Sequence, residues 1–275
     1  YTAAYNADDP KIKLKIDHTY RVAALCERIA KAAGMCAYDV ELAWLSGMLH
    51  DVGRFEQIKR YNTFSDADSV DHAKFGADLL FKDGLISTFL KGMVKCTGYK
   101  PGALEDRYDS DGVFLYDRLN KSDMEMLELA IRCHNMYRIP QGLNRREQAF
   151  CNVLRDADKV DIFKVNIDTP LEEIYNTTTE ELMKSDITDE VLEAFDEEHC
   201  ILKAIRRTPA DTVIGHVSLA YELVYDESVR ITVEQGYLAK LMHFHSDNEE
   251  TNRKMAMVRE KMDSYVKKRI VEKDA

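Results

Sequence analysis

Apolar residues recur along most of the chain at intervals of three and four, the spacing of an α-helix with one buried face. Residues 12–33 place Ile16, Val22, Cys26, Ile29 and Ala33 on one broad face. The same spacing predicts helices over 39–53, 69–82 (capped by Ser69), 85–96, 124–135 and 147–167. Further helices are predicted over 188–206, 213–226, 228–243 and 249–270. No run alternates as a strand would. Residues 97–120, with Gly98, Pro101, Gly102, Gly112 and several aspartates, read as a long irregular loop, a kind of segment that often carries function. With no repeat and no low-complexity stretch, the pattern predicts an all-α fold of stacked helices, one domain over 1–275. The last stripe, Met255, Val258, Met262, Tyr265 and Val266, reads first as core packing and leaves a homodimer helix open.

Composition narrows the classes. The longest apolar stretch, Leu42 to Leu49, is far short of the roughly 18–20 residues that span a bilayer. No signal-peptide pattern is seen, and six cysteines without a CxxC pair suggest neither a disulfide framework nor a thiolate metal site. A reducing cytoplasm is the simplest location, with no membrane partner. The sequons at Asn120 and Asn176 then read as chance matches.

The net charge of −11 argues against nucleic acid as a partner. All of that charge lies in residues 168–198, where twelve acidic residues meet only Lys184. The rest of the chain balances, 37 basic against 37 acidic, so the exclusion is weaker than the total suggests. The acidic stretch reads as a solvated surface.

Chemistry enters with the histidines. His50-Asp51 follows the apolar run Leu42–Leu49, and helical steps back from His50 meet Gly47, Ser46 and Ala43, small residues against which another helix can pack closely. His18 shares a face with Val22, Leu25 and Ile29, and His72 with Gly76 and Leu79. His134 follows Leu127 and Ile131, and Asp158 lies between Leu154 and Val165. A single inward histidine is usually a hydrogen-bonded core residue, and a single inward aspartate is usually paired with a base. Four histidines and two aspartates all turned inward are harder to explain one by one, and together they point to a metal centre. His199, His216, His243 and His245 read as structural or surface residues.

The motifs resemble those of the HD superfamily of metal-dependent phosphohydrolases. The matching words are His18-Thr19-Tyr20-Arg21-Val22, Leu49-His50-Asp51-Val52-Gly53-Arg54, Asp71-His72-Ala73-Lys74-Phe75-Gly76 and Leu154-Arg155-Asp156-Ala157-Asp158-Lys159, with His134 between the last two. They cover a motif core of about 12–165, followed by additional C-terminal helices over about 166–275.

The resemblance implies a helical HD-domain fold and six metal ligands, His18, His50, Asp51, His72, His134 and Asp158. The two histidines beyond the minimal set imply two divalent transition-metal ions with Asp51 as bridge. A thiolate-free donor set does not choose among Mn, Fe, Co, Ni and Zn. Asp156, the competitor for the last position, is expected to point away from the apolar face. The implied activity is hydrolysis of a nucleotide-like phosphomonoester or phosphodiester by metal-activated water, with Asp51 and Arg54 as catalytic residues. Arg54 would grip the small phosphorylated substrate, and Lys159 and Arg21 are further substrate contacts.

Two alternatives use the same residues: a mixed-valent di-iron oxygenase of the superfamily, and a non-catalytic HD signalling domain. The stretch His134-Asn135-Met136-Tyr137 lacks the second histidine and the Gly-Tyr pair of the cyclic-dinucleotide branch, which argues against cyclic di-GMP and a third metal.

Overall fold

The computed structural model describes residues 1–91, 94–96, 113–115, 119–175 and 177–271. They are all-α apart from one short strand pair, as the hydrophobic spacing predicts. They divide into two compact units, Tyr1–Ala157 and Asp158–Ala275.

The first unit contains α1 (Pro10–Ala32), α2 (Ala37–Leu49), α3 (Val52–Tyr61), α4 (His72–Ala77), α5 (Leu85–Leu90) and α6 (Lys121–Cys133). It also holds the first half of α7 (Arg145–Asp168). The start of α1 follows from local chemistry: Asp9 accepts a hydrogen bond from the Lys11 amide, and Pro10 takes the first helical position. Asn120 and Asp123 form a reciprocal capping box on α6. Helix α1 packs along α2. The small residues on α2 make this contact close, since a Cβ on Gly47 would lie 2.6 Å from Ala23 Cα.

In this unit three predicted boundaries change. The helix expected over 39–53 is broken at His50-Asp51, and a separate α3 begins at Val52. The N-cap of α4 is Asp71, whose carboxylate accepts from the Lys74 amide, while Ser69 donates to the Ser65 carbonyl in the preceding loop. The helix expected over 85–96 stops at Leu90. Residues Val94–Cys96 (β1) pair antiparallel with Val113–Leu115 (β2), Val94 opposite Leu115. Most of the loop expected over 97–120 lies outside the described residues, and its 113–115 part is this second strand.

The second unit contains the rest of α7, then α8 (Leu171–Tyr175), α9 (Thr179–Lys184), α10 (Asp189–Asp196), α11 (Pro209–Val217), α12 (Asp226–Gln235), α13 (Tyr237–Met242) and α14 (Glu249–Val271). Its core gathers Phe163, Phe195, Val213, Ile214 and Leu241 with Met255, Val258 and Met262. The stripe on α14 is therefore core, as its spacing predicts. The acidic stretch is more than a solvated surface, because Leu182, Ile187, Val191 and Phe195 project from it into this core. Among the described residues no helix is long and apolar enough to cross a membrane.

One histidine gives this unit an acid-sensitive element. His216 on α11 packs 5.7 Å from the Tyr175 ring, and its Nδ1 is buried without a hydrogen-bond partner. Burial, with Arg206 and Lys203 nearby, pushes its pKa down to about 3. The unfolded imidazole takes up a proton near its ordinary value of about 6.5, so between those values the unfolded state binds more protons. Stability is complete above that window and falls as pH drops through it, by at most about 1.4 kcal/mol per pH unit. His216→Leu is expected to flatten the loss of melting temperature between about pH 6.5 and 4. Equal acid sensitivity in variant and wild type would show that other groups control it.

Candidate metal centre

Five of the six predicted ligands, four histidines and Asp51, are built by the first unit. Helix α1 contributes His18, the corner between α2 and α3 contributes His50 and Asp51, the first residue of α4 is His72, and His134 caps α6. All five residues are buried. The chain turn at His50-Asp51 matters because Asp51 stands just before α3 rather than within a helix. Its carboxylate thereby reaches ligands on both sides.

The Asp51 oxygens divide the histidines into pairs. Oδ2 lies 3.5 Å from His18 Nε2 and 3.6 Å from His50 Nε2. Oδ1 lies 3.5 Å from His72 Nε2 and 3.8 Å from His134 Nε2. Within each pair the Nε2 atoms approach closely, 3.3 Å for His18 and His50 and 3.0 Å for His72 and His134.

The outer nitrogens explain why Nε2 faces inward. His50 Nδ1 lies 2.8 Å from the Gly47 carbonyl, and His134 Nδ1 lies 2.7 Å from the Ile131 carbonyl. A carbonyl only accepts, so each Nδ1 carries the proton and a neutral ring presents its Nε2 lone pair to the centre. His72 Nδ1 lies 2.7 Å from Asp66 Oδ2, which gives it the same tautomer. Burial pushes the His72 pKa down to about 4, so this ring is neutral at pH 7. Two neutral rings then aim lone pairs at each other across 3.0 Å, an unfavourable arrangement that a cation between them relieves. The donor set thus fits a divalent transition metal, and His50, Asp51 and His134 group closely enough to hold one.

Asp51 is charged. Burial alone would raise its pKa, but the Lys15 ammonium, with Arg54 beside it, holds it well below the usual carboxylate range. Lys15 Nζ lies 2.7 Å from Oδ2 and also faces the Phe64 ring. Sequence reasoning missed Lys15, although its position one turn before His18 was the available signal.

Arg54 is placed differently from the expected phosphate grip. Its Nη1 donates to Gln57 Oε1, the Phe64 carbonyl and Asp66 Oδ1, and its Nε lies 3.8 Å from Asp51 Oδ1. Asp66 was also missed, because it sits in the loop between α3 and α4, where no periodicity marks it.

Three predicted residues remain. Arg21 lies half-buried on α1, one turn beyond His18. Asp158 opens the second unit on the continuous α7 and is half-buried, followed by the buried Lys159. Asp156 is buried as well, contrary to the expectation that it points away from the apolar face, because α7 is enclosed on nearly every side there. Arg155, between them, donates to the carbonyls of Cys133, His134 and Met136 and so fixes the chain end that carries His134.

Neither a curated protein nor a solved structure shows a significant match to the chain. A family model does match: the HD domain, over residues 16–272, running from just before His18 through both units. With that match covering most of the sequence, and with the His-Asp dipeptide at the centre of a histidine cluster, the chain belongs to the HD domain family.

Proposed function

We propose that the protein is a metal-dependent phosphohydrolase that cleaves a nucleotide-like phosphomonoester or phosphodiester. The observation that supports this most directly is Asp51, whose two oxygens each face one pair of inward Nε2 atoms. In this reading His18 and His50 would hold one ion and His72 and His134 the other, Asp51 would be shared between them, and Asp158 would complete the set. Divalent ions held there would supply an activated water and charge to offset the phosphate oxygens.

The chain's own residues do the rest. Burial keeps His72 neutral, and the carbonyls at Nδ1 of His50 and His134 leave their Nε2 lone pairs turned inward. Lys15, already beside Asp51 and partly exposed, presents an ammonium to an incoming phosphate. Arg21 and Lys159 serve the same anionic substrate. Arg54, with Nη1 already carrying three acceptors, holds the loop and Asp66. The family match runs across the sequence of both units.

The test is reconstitution with Mn²⁺, Co²⁺ or Fe²⁺, followed by a screen of phosphate esters. Turnover is expected with one metal or more, lost on chelation and lowered by at least about a thousandfold in His50→Ala. Turnover that survives both treatments would overturn the assignment. O₂ consumption with an organic substrate by the iron-loaded protein, without phosphate release, would place it with the oxygenases instead.

A further inference from the structure

The histidines of the centre are not held alike. His50 and His134 each bond the carbonyl three residues earlier, a partner that their own helix ends supply. His72 begins α4, so no earlier helical turn exists to offer such a carbonyl. Its Nδ1 is held instead by Asp66, at 2.9 Å to Oδ1 and 2.7 Å to Oδ2.

Asp66 is in turn fixed from three other directions. Arg54 Nη1 donates at 2.9 Å and Gln57 Nε2 at 3.0 Å, both from α3. Asn135 Nδ2, on the residue after His134, donates at 3.3 Å. Burial opposes the charge on Asp66, but the His72 hydrogen bond and Arg54 keep its carboxyl ionised. One carboxylate therefore ties together α3, the start of α4 and the end of α6, the places that carry Asp51, His72 and His134.

We propose that Asp66 is the positioning residue for the His72–His134 half of the centre, and that occupancy of this half, separately from the His18–His50 half, depends on it. The proposal rests on the two-ion reading above. A charged partner at Nδ1 fixes the ring and raises the basicity of Nε2. Asp66 also groups with Asp71 and His72 as a set of metal-competent side chains. With four donors already on its oxygens, it acts here as an orienting group and not as a ligand.

The experiment measures Mn²⁺ binding by calorimetry and metal content by elemental analysis on folded protein, checked by circular dichroism. Wild type is expected to take up two ions. In Asp66→Ala and Asp66→Asn the affinity for one ion falls by about 10–100-fold while the other is unchanged. Asp66→Glu restores part of the loss. His134→Ala removes the same ion.

If Asp66→Ala fails to fold, Asp66→Asn, which keeps the shape and an acceptor, decides the matter. Two ions bound with wild-type affinity in the Asp66 variants would overturn this proposal alone, as would equal weakening of both ions. A wild-type protein that takes up a single ion would overturn the two-ion reading, and this inference with it.

Discussion

Asp51→Asn is expected to empty both halves of the centre, whereas His72→Ala or His18→Ala empties one. The difference follows from the carboxylate's position, with Oδ1 facing His72 and His134 and Oδ2 facing His18 and His50. An asparagine keeps one oxygen of the same shape but loses the charge and replaces the other oxygen with a donor that no cation accepts. The affinity for both ions should fall by well over about 100-fold, more than partners outside the ligand set usually cost. The variant should still fold. In its metal-free form Lys15, whose partly exposed ammonium can turn to water, loses its partner, and Arg54 loses only a long contact while its Nη1 acceptors remain. Elemental analysis of the three variants beside wild type checks the prediction. If Asp51→Asn retains one tightly bound ion, the carboxylate serves one half only and the bridging assignment fails.

Histidines and aspartates on apolar helical faces were legible without coordinates, because polar groups placed where the spacing demands core need a reason to be there. The family resemblance then ordered them. What the spacing could not reveal is how they converge. His50 and Asp51 read as the end of one helix, yet the chain breaks there and α3 begins at Val52. No Pro stands at the break to announce it, and Gly47 a turn earlier sits inside α2 without ending it. That corner lets one carboxylate serve two pairs of histidines.

Asp66 and Lys15 were invisible for different reasons. Asp66 lies in an aperiodic loop, and its value depends on three partners distant in the chain, Arg54, Gln57 and Asn135. Lys15 shares its helix with three other lysines, Lys11, Lys13 and Lys31, and only the turn toward Asp51 sets it apart. Arg54 marks the limit of the motif in another way. Its place in the motif is right, but a guanidinium beside a phosphate site and one that holds a loop look identical in sequence.

Gly53→Ala should be the most damaging conservative change in the first unit, and it tests how the fold delivers His72 to the centre. A Cβ at Gly53 would stand 2.3 Å from the His72 carbonyl oxygen, 2.7 Å from Gly76 N and 3.0 Å from Gly76 Cα. All three are backbone atoms, so no side-chain rotation relieves the clash, and α3 and α4 must part by roughly an ångström. Alanine gains up to about 1 kcal/mol over glycine in helix propensity, but overpacking against backbone costs about 1–3 kcal/mol or more. The net effect is destabilising. The separation also draws His72 away from Asp51 and His134, so one metal ion should be lost along with stability. Gly34→Ala is the control. Gly34 has φ +73° with nothing within 4 Å of the added methyl, so the change costs about 1–2 kcal/mol of backbone strain and leaves the metal count alone. Denaturant melts and metal analysis on the two variants separate these effects. A Gly53→Ala protein with wild-type stability and two bound ions would mean that α3 and α4 approach less closely in solution, and that the position of His72 does not depend on that contact.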